Sequence, residues 1–119
     1  MSARFTNKVL ILGAGSVSQS VIPLLIEHLV DAKQITIMDQ RDNRSRVQSA
    51  LNQGATYVQD QITRSNLDAQ LSKYLSAGDF LLDLAWNIDA NTILQWCHDH
   101  GVLYLNTSIE EWDLSLIHI

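Results

Sequence analysis

The chain has 119 residues, of which 46% are hydrophobic, with 5 glycines and 1 proline, a composition typical of one globular domain rather than a disordered or fibrous segment. Its net charge of -5 argues against nucleic acid or an anionic membrane surface as a partner, because no cluster of Lys and Arg is present to neutralise phosphates. The single cysteine, Cys97, excludes an internal disulfide and fits the reducing cytoplasm, and we expect it to be a buried, unreactive thiol. No stretch has the roughly 18 apolar residues of a membrane span, and the N-terminus shows no signal-peptide core, so the sequence predicts no membrane association.

Short apolar runs alternate with segments of helical periodicity along the chain. Strands are predicted at residues 8–14, 34–39, 55–59, 79–85 and 102–108, and helices at 16–30, 47–53, 65–75 and 89–100. Pro23 should bend the first helix or restrict it to an early turn, Ser65 is the predicted cap of the third, and Gly54 and Gly101 should end the second and fourth. This alternation predicts an α/β fold with a doubly wound parallel sheet, in which ligands bind beyond the carboxyl ends of the strands.

The first strand is followed by a turn with two glycines. Gly13 would make the tight turn, and Gly15 would let backbone N–H groups approach a pyrophosphate at the start of the helix. Ser16 and Val17 complete the predicted phosphate-binding turn, and Ser18 stands where a third glycine is usual but is small enough for close packing. A strand-to-helix turn can also need two glycines for geometry alone, so the turn by itself is weak evidence.

Asp39 ends the second strand, and this position strengthens the dinucleotide interpretation. It lies 39 - 13 = 26 positions after Gly13, where an acid that accepts hydrogen bonds from the adenosine ribose is expected. Because a carboxylate there repels a 2′-phosphate, NAD is predicted in preference to NADP. Arg41 is an alternative phosphate ligand, although a solvated loop side chain is the favoured interpretation.

Polar and aromatic residues follow the fourth strand, where the nicotinamide half of a dinucleotide would lie. Asn87 would bind the carboxamide or ribose there, or cap the next helix. Asp89 is a candidate at the same end, with capping favoured. Trp86 would stack on the ring or attract a cationic substrate, and packing in the core is an equal alternative.

The fifth strand also ends in polar groups, Asn106, Thr107 and Ser108. Glu110 follows, with a second carboxylate and a tryptophan directly after it, a combination that suits an ammonium group. The alternative is an exposed loop with ordinary acidic residues. The 4 histidines show no metal-ligand spacing, so no metal site is predicted.

The stretches "KVLILGAGSVSQSVIPLL" and "FLLDLAWNIDANTILQWCHDHGVLYLNTSIEEW" resemble the amino-terminal part of the homospermidine synthase family, which is related to the saccharopine dehydrogenases. The resemblance runs from about Lys8 to Trp112. It implies a cytoplasmic homodimeric transferase that uses bound NAD to oxidise putrescine, exchange ammonia for a second putrescine and reduce the imine to homospermidine. It also implies that the turn residues and Asp39 bind NAD, that the residues after the fourth and fifth strands lie near nicotinamide and substrate, and that Glu110 holds an ammonium.

The family is several times longer than 119 residues, so the chain is expected to be an incomplete protein whose residues 1–113 form the NAD-binding domain. The final "LSLIHI", residues 114–119, matches the translated end of a transposon used in DNA library preparation, and we expect it to be adapter rather than native sequence. A genuine apolar tail is the alternative. Two other functions remain open: a free-standing NAD-sensing module, and a saccharopine dehydrogenase-like oxidoreductase acting on another amine.

Overall fold

Strands and helices alternate through the fold. A computed structural model of the chain describes residues 4–84 and 90–106. The elements in chain order are β1 (Val9–Leu12), α1 (Ser16–His28), β2 (Ile35–Asp39), α2 (Gln48–Asn52), β3 (Thr56–Gln59), α3 (Leu67–Tyr74), β4 (Phe80–Asp83), α4 (Ala90–His100) and β5 (Leu103–Asn106). Two 3-10 helices, Ala32–Gln34 and Arg44–Val47, lie before β2 and before α2.

The five strands form one sheet in the order β3-β2-β1-β4-β5, and every neighbouring pair is parallel. The chain builds outward from β1 to β3 and then returns to the other side of β1 with β4, so the order reverses beside β1. In register, Leu12 at the end of β1 lies between Met38 of β2 and Asp83 of β4. A reversal of this kind leaves a crevice at the carboxyl ends of the central strands, which is where such sheets bind ligands.

Both faces of the sheet are covered, as the continuous apolar character of β1 predicts. Val9 and Ile11 pack into a core with residues of α1 and α2, whereas Leu10 and Leu12 pack into a second core with residues of α3 and α4. All four side chains are at most 1% exposed. The predicted doubly wound α/β fold is therefore confirmed.

The structure tests the predictions for Pro23 and for the ends of the helices. Helix α1 continues through Pro23. Gly54, which follows the C-cap residue Gln53 of α2, and Gly101, directly after α4, have positive φ angles (117° and 71°), as expected for residues that end helices. The predicted cap at Ser65 is wrong. The residue before α3 is Asn66, and its side chain makes no cap hydrogen bond.

The cause is a local turn that precedes α3. The N–H of Thr63 donates to the Asn66 side-chain oxygen at 2.7 Å, and the N–H of Asn66 donates to the Thr63 hydroxyl at 3.3 Å. The hydroxyl groups of Ser65 and Thr63 are 3.1 Å apart. Short polar side chains compete in this way for nearby backbone groups, so the Ser65 side chain is engaged inside the turn rather than at the helix start.

Cys97 is fully buried on α4, and the predicted buried thiol is confirmed. Burial raises the pKa of its thiol to about 12, and the charge of Asp83 adds to the shift, so the thiol is protonated at neutral pH. Within residues 4–84 and 90–106, no helix is long and apolar enough to cross a membrane.

Candidate functional site

The turn between β1 and α1 is held against the neighbouring strand by backbone hydrogen bonds. Gly13 has a φ of 100°, a conformation that side chains disfavour, and its N–H donates to the Met38 carbonyl at 2.7 Å. The next N–H, of Ala14, donates to the Asp39 carboxylate at 2.8 Å. Gly13 therefore makes the tight turn between β1 and α1.

Gly15 precedes α1, and its backbone conformation differs from that of Gly13. Its backbone is extended, it has no side chain to cap the helix, and a Cβ placed on it would meet nothing within 4 Å. The first N–H groups of a helix have no intrahelical acceptor and carry the positive end of the helix dipole. Open space beside Gly15, at the start of such a helix, fits a phosphate group.

Ser18 does more than occupy the place of a third glycine. Its side chain is buried in the first turn of α1, and its hydroxyl donates to the Gly13 carbonyl. The helix is therefore tied to the turn by a bond that a glycine could not make. The small Ser18 side chain thus allows the predicted close packing and also makes a hydrogen bond.

Asp39 lies at the carboxyl end of β2, next to the glycine turn. One carboxylate oxygen, Oδ1, accepts the N–H of Arg41 at 2.9 Å, and the other, Oδ2, accepts the N–H of Ala14 at 2.8 Å and the Asn43 amide at 3.4 Å. A carboxylate offers about four acceptor positions, so these three donors leave room for a hydroxyl group. Asp39 is only partly buried, and a ligand can reach it.

A cavity of about 620 Å³ opens between the glycine turn and the ends of β2 and β3. Its lining comprises Leu12, Gly13 and Gly15 after β1, Met38, Asp39, Gln40, Arg41, Asn43 and Arg46 after β2, Asp60, Gln61 and Ile62 after β3, and Leu84 after β4. The volume is within the usual range for small-molecule and cofactor sites. The structure thus brings the predicted residues Gly13, Gly15 and Asp39 to one cavity.

Residues that the sequence interpretation did not select also border this cavity. Arg46, Asn43 and Asp60 are among them, and Arg41 lies on the wall as an exposed side chain. The rule that ligands bind beyond the carboxyl ends of parallel strands would have selected Asn43 and Asp60, because they follow β2 and β3 closely. Arg46 had no such signal, since it belongs to a 3-10 helix that the sequence did not predict.

A cluster of polar side chains, largely buried, lies at the ends of β4 and β5. Asp83 is fully buried and accepts the Tyr104 hydroxyl at 3.0 Å and the Asn106 amide at 3.4 Å. The Asn106 amide also donates to the Tyr104 oxygen at 2.9 Å. Burial raises the pKa of Tyr104, and the charge of Asp83 raises it further, so the phenol stays a neutral donor. Asn106, a predicted cofactor-binding residue, therefore joins β5 to the end of β4.

The remaining predicted site residues lie outside the described part of the chain. These are Trp86, Asn87, Asp89, Thr107, Ser108 and Glu110. Ser16 and Val17 are described, and they form the first turn of α1 beside Gly15. Among the described side chains, no group of three His, Cys, Asp or Glu residues is placed to hold a metal ion.

A parallel sheet of this order, with a glycine turn at the first helix and an acid at the end of β2, defines a Rossmann-type dinucleotide-binding domain. The family model described as "Saccharopine dehydrogenase NADP binding domain" matches residues 9–116. The chain belongs to this family.

The relatives similar to the chain include two curated proteins and a solved structure. The homospermidine synthase of Mesorhizobium japonicum is 28% identical over 111 residues, which are 90% of this chain and 22% of that protein. The homospermidine synthase of Blastochloris viridis is 26% identical over 113 residues, which are 92% of this chain and 23% of that protein.

The solved structure is a homospermidine synthase from Legionella pneumophila in complex with NAD. It matches with a TM-score of 0.79 and 27% identity, covering 95% of this chain and 26% of that one. The chain thus spans about a quarter of the length of these relatives.

Proposed function

We propose that this chain is the NAD-binding part of a homospermidine synthase, with residues 1–113 forming the domain and residues 114–119 being adapter-derived. The observation that carries the proposal is the cavity, which has the open face of Gly15 on one side and the Asp39 carboxylate on another. Homospermidine synthases that match nearly the whole chain support the choice of enzyme.

The residues around the cavity divide between the phosphates and the adenosine of the cofactor. Gly13 and Gly15 would form the phosphate-binding turn, and the backbone of Ser16, Val17 and Ser18 would supply the positive start of the helix. Asp39 would accept a hydroxyl of the adenosine ribose. A negative charge at that position disfavours a 2′-phosphate, so we propose NAD rather than NADP as the natural cofactor.

The residues that follow β4 and β5 would serve the nicotinamide and the substrate. We assign Trp86, Asn87, Asp89, Asn106, Thr107 and Ser108 to the cofactor side. Glu110 would hold an ammonium group of the diamine, since a carboxylate beside an aromatic residue suits a cation. Bound NAD would supply reversible hydride transfer, which allows putrescine to be converted to homospermidine with release of ammonia and no net redox change.

The test uses the protein expressed from the complete reading frame, which is obtained by sequencing the source DNA beyond the codon for Asp113. We expect the frame to continue and the full chain to convert putrescine to homospermidine when NAD is present. Glu110→Gln should raise the KM for putrescine or lower kcat, because the ammonium loses its counter-charge. Glu27→Gln is the matched control, because it makes the same change of charge at an exposed side chain of α1 that does not line the cavity.

Three results would contradict parts of this proposal. A frame that stops at Ile119 would favour a free-standing nucleotide-binding module. NAD-dependent turnover of another amine, but not putrescine, would favour a saccharopine dehydrogenase-like oxidoreductase. Equal effects of Glu110→Gln and Glu27→Gln would remove the specific role of Glu110.

A further inference from the structure

Tyr57 on β3 forms hydrogen bonds with the loop that follows Asp39. Its hydroxyl donates to the Arg41 carbonyl at 2.5 Å and accepts the N–H of Asn43 at 3.0 Å. The Arg44 guanidinium lies 4.8 Å from the centre of the Tyr57 ring. The loop from residue 41 to residue 44 therefore wraps around one half-buried phenol.

The two residues that Tyr57 holds are the same two that donate to Asp39 from this loop. The N–H of Arg41 donates to Asp39 Oδ1, and its carbonyl accepts the Tyr57 hydroxyl. The side-chain amide of Asn43 donates to Asp39 Oδ2, and its N–H donates to the Tyr57 oxygen. Each residue is thus fixed at two atoms. Two of the three donors to the Asp39 carboxylate therefore lie on residues that also bond to a hydroxyl from a different strand.

The phenol suits this role chemically. It uses its one donor and one of its acceptor positions on backbone groups of the loop, so it holds a carbonyl and an N–H at once. Burial raises the pKa of Tyr57 above its ordinary value, so the hydroxyl keeps its proton at neutral pH. Phenylalanine would keep the ring under Arg44 and lose both hydrogen bonds.

We propose that Tyr57 is a positioning residue of the dinucleotide site: it fixes the loop that orients Asp39 and thereby sets the preference for NAD over NADP. The inference rests on the proposed NAD-binding function of the cavity. Tyr57 does not line the cavity itself, and its effect reaches the ligand through Asp39.

The test measures the dissociation constants of NAD and NADP by calorimetry for the protein expressed from the complete reading frame. We expect Tyr57→Phe to weaken NAD binding about fivefold, the order of one hydrogen bond, and NADP binding less, so that the ratio of the two constants falls. In an Asp39→Ala background, Tyr57→Phe should have no further effect on that ratio, because the group it positions is gone. A purely structural tyrosine would lower thermal stability without moving this ratio.

Tyr74→Phe is the matched control, because Tyr74 is a half-buried tyrosine of α3 that packs against the core of α3 and α4 and does not line the cavity. It should leave both constants unchanged. An unchanged NAD to NADP ratio in Tyr57→Phe, or equal effects of Tyr57→Phe with and without Asp39, would overturn the proposal. A wild-type protein that binds neither dinucleotide would instead overturn the proposed function.

Discussion

Asp39 and Asp83 stand at the carboxyl ends of the two strands that flank β1, yet their surroundings differ. Asp39 is partly exposed, borders the cavity, and is held mainly by two backbone N–H groups. Asp83 is fully buried and accepts hydrogen bonds from side chains of β5. One carboxylate keeps an acceptor position open to a ligand, whereas the other is surrounded by protein.

The difference shows that a position at a strand end does not by itself make a ligand residue. A buried carboxylate is stable only when donors satisfy it, and those donors then tie together the elements that carry them. Asp83 accordingly joins β4 to Tyr104 and Asn106. Asp39 accepts hydrogen bonds from Arg41 and Asn43 of the loop that follows it. Its remaining acceptor position is available to the adenosine ribose that we propose.

The largest expected effect comes from removing the buried carboxylate with Asp83→Leu. The Tyr104 hydroxyl and the Asn106 amide would lose a charged acceptor in a partly buried place, and the free energy of unfolding should fall by about 3 kcal/mol. Urea denaturation measures the change. Tyr104→Phe is the comparison, and it should cost about 2 kcal/mol because it removes the hydrogen bonds of the hydroxyl to Asp83 and Asn106 but leaves the carboxylate in place. A variant Asp83→Leu as stable as the wild type would show that this carboxylate is not structural.

A smaller effect, on binding rather than on folding, is expected from Asp39→Ala. The adenosine ribose would lose a charged acceptor, so NAD affinity should fall about thirtyfold, whereas NADP affinity should fall much less because the repulsion of its 2′-phosphate is also removed. Calorimetry with both dinucleotides measures the two changes.

Asp60→Ala is the matched control for Asp39→Ala, since Asp60 also borders the cavity and the change of charge is the same. It should leave the NAD to NADP ratio unchanged. Equal losses for NAD and NADP in Asp39→Ala would mean that Asp39 does not contact the ribose.

The sequence was sufficient for the features that rest on local pattern. The apolar run of β1, the positive-φ turn at Gly13 and the acid at the end of β2 were all predictable, because each follows from strand burial or turn geometry within a short segment. The 3-10 helix at Ala32–Gln34 was also within reach, since Asp31 and Gln34 form a capping box with the usual spacing.

The Tyr57 and Asp83 contacts were not predictable from local pattern. Tyr57 meets Arg41 and Asn43 only because β3 pairs with β2, and Asp83 meets Asn106 only because β5 pairs with β4 in a particular register. These contacts join residues 14 to 23 positions apart. Alternation of strands and helices predicts a parallel sheet, but it does not supply the register that brings such side chains together.

Gly15→Ala tests most directly whether the turn before α1 binds the dinucleotide phosphates, as we propose. A Cβ on Gly15 meets open space and its φ of -94° is ordinary, so we expect the free energy of unfolding to stay within about 1 kcal/mol of the wild type. The new methyl group would stand where a phosphate approaches, so NAD affinity should fall about tenfold, equivalent to about 1.4 kcal/mol. Gly13→Ala provides the contrast, because its φ of 100° should make that variant less stable by about 1 to 3 kcal/mol. Weakened NAD binding in a stable Gly15→Ala protein is the predicted result, and wild-type NAD affinity in that protein would contradict phosphate binding at this turn.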